Sequence, residues 1–289
     1  MTPSPNGSGS GSDSGTGRRS AGGSGAVSRR RTRSYASAKI RDAVLTQFGN
    51  VRKAAGTLTP EQLAGPTRLG DWTVRELLAH TSMALGAVDR FLALPEPAKS
   101  EVAALDWPFA TAANAAGIAD RSRDIAREHP DITALLARTE ERFVANLAAV
   151  ADSRALPVPT GAMSFADYLV TRTVELVVHT DDLNDAVPGL DVPFDRQALA
   201  ACTRLLADAL ALKAPGASTE VRIPPFAVVQ CVEGPRHTRG TPPNVVETDP
   251  LTWIRLATGR TTWSVAIDDA LVGASGERAD LTGLLPIMA

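Results

Sequence analysis

Between residues 36 and 187, apolar side chains recur at intervals of three and four residues, and no other sequence feature constrains the fold as much. A helix turns once in about 3.6 residues, so positions with this spacing lie on one face. The pattern appears in four segments: about 37–56, 71–94, about 131–151, and from Ser164 to just before Pro188. Amphipathic helices in this number and of this length predict a four-helix bundle.

Two of these helices carry start signals. Thr73 is followed by Glu76 and Ser164 by Asp167, which is the spacing of a capping box. In that motif the N-cap hydroxyl and the side chain three residues later each accept a hydrogen bond from the other residue's backbone N–H. The second helix should therefore begin near Thr73, and its apolar stripe of Leu77, Ala84, Val88 and Phe91 includes His80.

The regions on either side of the bundle differ in composition. Residues 1–35 are mainly Gly, Ser and Arg, which bury little apolar surface, so a disordered basic tail is expected. After "VPGLDVPFD" the pattern indicates a helix near 195–213, proline-interrupted strands in "STEVRIPPFAVVQCVEG" and "PPNVVETD", and short helical pieces on either side of "LVGASG". We predict two domains, an all-α bundle over 36–187 and a small α+β domain over 192–289.

Composition narrows the functional classes. The 289 residues carry a formal net charge of -2, which gives no indication that nucleic acid is a partner. No apolar run is long enough for a membrane span. Cys202 and Cys231 form no CxxC motif, so neither a disulfide scaffold nor a thiolate metal cluster is indicated, and a reducing cytoplasm is the expected location.

Polar residues inside the predicted bundle are the candidates for chemistry. Glu175 and His179 are four residues apart and share one face of a helix rich in Val and Leu, and His80 lies on another helix. Two His and one Glu form a donor set for a divalent ion such as zinc, with one position open for water or substrate. The same pattern is compatible with a hydrogen-bonded core histidine and an ordinary pair on a helix surface.

Two neighbouring residues have alternative roles. Asp182, one turn after His179, either orients that imidazole or is solvated near the helix end. Arg172, one turn before Glu175, either pairs with that carboxylate or receives a substrate carboxylate. The sequence contains no GxGxxG, GxxxxGK[ST] or GxSxG string, so the common signals for nucleotide cofactors and serine hydrolysis are missing.

The motifs "DWTVRELLAH" and "ELVVHTDDL" resemble those of the mycothiol-dependent maleylpyruvate isomerase family, whose N-terminal domain is a DinB-like metal-binding four-helix bundle. The resemblance covers about residues 36–187. The run "LTWIRLATGRTTWSVAIDDALVGASGERADLTGLLPI" is similar to sterol-carrier-protein-like domains, which often follow this bundle in actinobacterial proteins. The resemblance implies that His80, Glu175 and His179 bind zinc or another divalent ion.

The resemblance also implies a reaction class. In this family the thiol cofactor mycothiol acts at the metal on a small electrophile, in isomerisation or in thiol transfer. No motif identifies catalytic or mycothiol-binding residues beyond the metal ligands. Two alternatives remain: a lipid or acyl-chain carrier with an apolar ligand in the C-terminal domain, and a metal-dependent hydrolase of thiol conjugates.

Overall fold

The structure is a computed structural model and describes residues 33–234 and 243–288, except for the side chains of residues 114 and 115. The predicted basic tail, residues 1–35, lies almost entirely outside the described residues. The described chain from Tyr35 onward belongs to one compact unit. Within the described ranges, no helix combines the length and apolar character that crossing a bilayer requires.

The described N-terminal half is helical, as predicted. Its helices are α1 (Ser37–Ala55), α2 (Pro60–Leu63), α3 (Val74–Leu92), α4 (Ala115–Glu128), α5 (Ile132–Ala149) and α6 (Phe165–Ala186). The four long helices α1, α3, α5 and α6 form the bundle, in which α1 and α3 each pack against both α5 and α6. The predicted four-helix bundle is confirmed, with helix ends close to those expected from the sequence.

Apolar burial explains why these segments pack as they do. The predicted stripe of α3 is in the core, where Leu77, Ala84, Val88 and Phe91 are each at most 5% exposed. Burying a side chain the size of Leu or Phe contributes roughly 1.5–3 kcal/mol. His80 therefore faces the interior of the bundle because it shares the face of α3 that the core occupies.

The two predicted capping boxes differ in the structure. At α3 the box is complete, since Glu76 Oε2 accepts from the Thr73 N–H at 2.7 Å and Thr73 Oγ accepts from the Glu76 N–H at 3.3 Å. At α6 only Ser164 Oγ accepts, from the Asp167 N–H at 3.1 Å, so the predicted second box is wrong in its reciprocal half. An Asp side chain is one methylene shorter than Glu, and it does not reach back to the N-cap.

The elements of this half that were not predicted include the short helix α2, helix α4 and a hairpin. Helix α4 packs against α3, and a hairpin of β1 (Ala155–Val158) and β2 (Gly161–Ser164) precedes α6. Strands of four residues are too short to show a clear alternation. Helix α4 has a weak apolar signal, because Ile118 and Ile125 are its only large aliphatic side chains.

The C-terminal half is α+β, as predicted. It comprises α7 (Arg196–Lys213), β3 (Thr219–Ile223), β4 (Ala227–Cys231), β5 (Val245–Thr248), α8 (Pro250–Ala257), α9 (Trp263–Asp268) and β6 (Val272–Ser275). The sheet order is β4-β3-β5-β6, with β3 and β5 parallel and the other pairs antiparallel. "LVGASG" thus contains an edge strand of this sheet, which its residues did not indicate. Helix α7 packs against α1 and α6 of the bundle and against β4 and α8.

Candidate metal centre

The side chains of His80, Glu175 and His179 meet between α3 and α6. One ligand atom of each lies within 4.8 Å of the other two. The Nε2 atoms of both histidines are 3.3 Å from Oε2 of Glu175. The three side chains are only 11%, 18% and 12% exposed in the order His80, Glu175, His179, so the cluster is largely enclosed. The structure brings together the three residues that the sequence nominated.

Helix geometry and helix packing produce this arrangement. Glu175 and His179 lie one turn apart on α6, so their side chains point the same way. His80 comes from α3, which packs directly against α6. The two imidazole rings meet edge to face, with centroids 4.6 Å apart and planes at 86°. The indole of Trp72, just before α3, lies 5.2 Å from the His80 ring and covers it.

The outer nitrogen of each imidazole has a hydrogen-bond partner. His179 Nδ1 lies 2.9 Å from Asp182 Oδ2, and His80 Nδ1 lies 3.3 Å from Ser122 Oγ. The Ser122 hydroxyl itself donates to the carbonyl of Ile118 at 2.8 Å, so its oxygen is left to accept from His80. A carboxylate also only accepts. These partners assign the proton to Nδ1 in both rings, and each Nε2 then presents a lone pair to Glu175.

The electrostatics of the cluster follow from this convergence. Burial alone would raise the pKa of the Glu175 carboxyl, but the imidazoles of His179 and His80, which donate to this carboxylate whenever Nε2 carries a proton, lower that pKa well below its usual value. Burial lowers the pKa of His80. Burial would also lower the pKa of His179, but hydrogen bonds with Asp182 and Glu175 outweigh it and raise that pKa. An anionic carboxylate facing two imidazole lone pairs is an arrangement that a cation, either a proton or a metal ion, stabilises.

Asp182 is buried and fully engaged. Its side chain has no exposure, and it accepts from Arg68 Nε at 2.7 Å and from Arg260 Nη2 at 2.9 Å, besides its contact with His179. Burial would raise the pKa of this carboxyl, but hydrogen bonds with His179 and Arg260 lower it strongly. Of the two roles predicted for Asp182, the structure therefore supports orientation of His179 and contradicts solvation.

The preceding residue, Asp181, forms ion pairs with arginines from both halves of the chain. Arg255 on α8 donates to both of its oxygens, at 2.6 and 2.8 Å, and Arg68 donates to it at 2.6 Å. Arg260, just after α8, binds the neighbouring Asp182 in the same two-pronged way. Arg260 of the C-terminal half thus contacts Asp182, which in turn contacts the candidate ligand His179.

Comparison with known proteins agrees with this architecture. Residues 44–184 match the model of the mycothiol maleylpyruvate isomerase N-terminal domain, and residues 195–287 match that of the bacterial SCP ortholog family. Residues 44–184 therefore form a mycothiol maleylpyruvate isomerase N-terminal domain, and residues 195–287 form a domain of the bacterial SCP ortholog family. Crystal structures of the mycothiol-dependent maleylpyruvate isomerase and of a point mutant of it have similar folds, with a TM-score of 0.53 and 14% identity over 85% of this chain and 95% of theirs. Comparison with curated protein sequences gives no match.

Two cavities reach the cluster. The first, which we call the open cavity, has a volume of about 390 Å³ and is lined by His80, Glu175 and His179 together with Trp72 and Arg260. The second has a volume of about 310 Å³ and shares His80 and Glu175 with the first. Small molecules therefore have space beside the candidate ligands in both cavities.

The residues fit a divalent metal ion. Two imidazole nitrogens and one carboxylate oxygen are the donors of many catalytic zinc sites, which leave a position open for water or substrate. Both Nδ1 atoms are occupied by Ser122 and Asp182, so both Nε2 atoms are available as ligands.

Sequence reasoning missed several residues around the cluster. Ser122 had a detectable signal, because it lies four residues after Ile118 and three before Ile125, on the apolar face of a helix. Arg68 and Arg260 lie in irregular segments, 114 and 78 residues from Asp182, and nothing local indicates their partner.

Proposed function

We propose that the protein is a metal-dependent enzyme that uses mycothiol to isomerise a small electrophile or to transfer the thiol to it. The observation that carries this proposal is the convergence of two imidazole Nε2 atoms and a largely buried carboxylate at His80, His179 and Glu175. Zinc is the ion that we expect, because this donor set is typical of catalytic zinc sites.

The chain's own residues supply the conditions for such chemistry. A divalent cation at these residues would favour the thiolate form of a bound thiol and so supply a nucleophile at neutral pH. Asp182 and Ser122 hold the two imidazoles in the ligating tautomer, and Trp72 shields His80 from water. The isomerase activity named for the two similar structures supports the reaction class.

The domain boundaries and the location also belong to this proposal. We retain a basic tail at 1–35, a metal-binding bundle at 36–187 and a sterol-carrier-like domain at 192–289 as the domain boundaries. We also propose the reducing cytoplasm as the location, since Cys202 and Cys231 are buried thiols rather than a disulfide pair.

The metal is tested first, by measuring the zinc content of the full-length protein and of Glu175→Ala. We expect stoichiometric zinc in the wild type and almost none in the variant, with unchanged helix content by circular dichroism. Glu140→Gln is the control, because Glu140 forms its ion pair with Arg52 away from the cluster. A wild-type protein without zinc, or a Glu175→Ala variant that retains it, would refute the site.

The reaction is tested with the zinc-loaded protein, maleylpyruvate and mycothiol, each omitted in turn. Turnover that requires both metal and mycothiol supports the proposal. Hydrolysis of a thiol conjugate without added thiol would instead identify the metal-dependent hydrolase. Copurified lipid in stoichiometric amount, unaffected by His80→Ala, would favour the carrier function.

A further inference from the structure

The second cavity beside the candidate metal ligands has a distinct chemical character. We call it the aromatic chamber; its volume is about 310 Å³, at the lower end of the range for small-molecule sites. Its walls are aromatic and aliphatic, with contributions from Phe91, Trp107, Tyr168, Met83, Ile118 and Val158. Because His80 and Glu175 also line it, a ligand in the chamber lies directly beside the metal position.

Arg172 supplies the one buried charge of the chamber besides Glu175. Its side chain is 10% exposed, and its guanidinium lies 4.5 Å from the Tyr168 ring centroid. Its Nε and Nη2 atoms both donate to Thr171 Oγ, whereas Nη1 lies 4.0 Å from Glu175 Oε1, beyond hydrogen-bond distance. Of the two roles predicted for Arg172, pairing with Glu175 therefore occurs only as a long ion pair without a hydrogen bond.

The charges around the chamber are unbalanced. Among the residues that line it, Glu175 is the one acid, while Arg90, Arg121 and Arg172 are bases. A metal ion bound by Glu175 would offset that carboxylate, and the buried guanidinium would be left without a counterion. Burying an unpaired charge is costly, so a ligand that places an anionic group on Arg172 is favoured.

A second polar group points to the same conclusion. The hydroxyl of Thr160, at the β1–β2 turn, is buried without a hydrogen-bond partner among the described residues, and Thr160 also lines the chamber. A buried hydroxyl of this kind usually has a partner. A bound ligand with an acceptor oxygen would supply one, and the rest of the wall would contact an apolar body.

We propose that the aromatic chamber binds the electrophile, and that the electrophile is a monocarboxylate with an unsaturated, apolar body whose carboxylate pairs with Arg172. A guanidinium presents parallel N–H donors that match a carboxylate. Arg90 and Arg121 also line the chamber, but both are exposed, so a second carboxylate in its enclosed part would lie among apolar side chains such as Phe91, Met83 and Val158. The inference rests on the proposed function and names its substrate class.

The test measures binding to zinc-loaded, full-length protein by calorimetry with three matched probes. Cinnamate carries an acrylate joined to a phenyl ring, cinnamamide replaces the carboxylate by an uncharged amide, and fumarate replaces the phenyl ring by a second carboxylate. We expect cinnamate to bind about tenfold or more tightly than either of the others, because a hydrogen bond to a charged group in an enclosed site is worth that much.

Variants assign the effect to Arg172. Arg172→Gln should weaken cinnamate binding about tenfold or more and leave cinnamamide binding unchanged, whereas Arg172→Lys should retain part of the affinity. Arg121→Gln is the control, because it removes one positive charge from an exposed position on the same chamber, and cinnamate affinity should change less than about threefold.

Each outcome has a defined meaning. Cinnamate binding that survives Arg172→Gln would show that zinc alone holds the carboxylate, and fumarate binding tighter than cinnamate would contradict the apolar body; either result overturns the inference. Should Arg172→Gln fail to fold, Arg172→Lys decides the matter, since full affinity there overturns the bidentate pairing. Absence of zinc from the wild type defeats the proposed function itself, whereas zinc-loaded protein that is indifferent to Arg172 defeats this inference alone.

Discussion

Asp182 does not face the metal position, yet its carboxylate holds the Nδ1 side of His179 at 2.9 Å. We predict that Asp182→Ala weakens zinc binding by about 10- to 100-fold, because a ligand imidazole loses orientation and basicity without such a partner. Zinc affinity is measured by competition with a chromogenic chelator.

Asp181→Ala is the matched control for this prediction. Asp181 is the adjacent buried aspartate and also pairs with arginines, but it does not contact His179. Its removal should lower stability without weakening zinc binding comparably. Equal losses of zinc affinity in the two variants would indicate a general disturbance of α6 rather than loss of the contact with His179.

Helix α3 presents His80 from its second turn, so the start of this helix matters for the site. The capping box of Thr73 and Glu76 is complete. We predict that Thr73→Ala lowers the free energy of unfolding by about 1 kcal/mol, the usual value of an N-cap hydroxyl, and that Thr73→Ser restores it. Urea denaturation followed by circular dichroism measures the change.

A second capping box provides the comparison. Thr59 and Gln62 form the same motif at α2, which has four residues and buries none of them. Thr59→Ala should therefore lower the free energy of unfolding by less than Thr73→Ala does. If Thr59→Ala lowered the free energy of unfolding more than Thr73→Ala, the effect of a capping box on stability would not depend on how well the capped helix is packed.

Helix α4 shows how an element without a strong pattern still contributes to the site. It carries Ser122, which is fully buried and contacts the outer nitrogen of His80. The helix is held against α3 by burial of a few small and aliphatic side chains, among them Ile125 and Ala126. Such a short apolar face gives only a weak signal in the sequence.

The two halves of the chain meet at the arginines of the α8 region. We predict that Arg260→Ala weakens zinc binding, because Asp182 then loses one of the two arginines that hold it, whereas Arg255→Ala lowers stability and leaves zinc affinity nearly unchanged. The loss of stability in Arg255→Ala should be about 1–3 kcal/mol, since Arg68 remains beside Asp181.

Zinc titration and urea denaturation of both variants test this difference. A variant Arg260→Ala with wild-type zinc affinity would show that Arg68 alone suffices to hold Asp182, and that the C-terminal half does not influence the metal site through this contact.

The compactness of the chain from Tyr35 onward predicts the behaviour of its thiols. Cys202 on α7 and Cys231 on β4 are both buried, and burial strongly raises the pKa of the Cys202 thiol. We expect neither thiol to react with a disulfide reagent at neutral pH in the folded protein, and both to react in denaturant. Rapid reaction in the folded state would show that α7 opens away from the bundle and the sheet.

Local patterns in the sequence determined much of this protein. Spacing of apolar residues predicted α1, α3, α5 and α6, because each helix must bury one face. The i,i+4 relation of Glu175 and His179 followed from helix geometry alone. The motifs around His80 and His179 indicated the family, and turn and strand signals indicated the α+β character of the C-terminal half.

Tertiary packing decided the rest. His80 and Glu175 are 95 residues apart and meet only because α3 packs on α6. Whether Asp182 is solvated or orients His179 depended on Arg68 and Arg260, whose positions arise from loops and from docking of the C-terminal half. The spacing of residues in the sequence shows which face of a helix a side chain occupies. The residues that lie opposite that face come from distant segments of the chain, and they make contact only when the chain is folded.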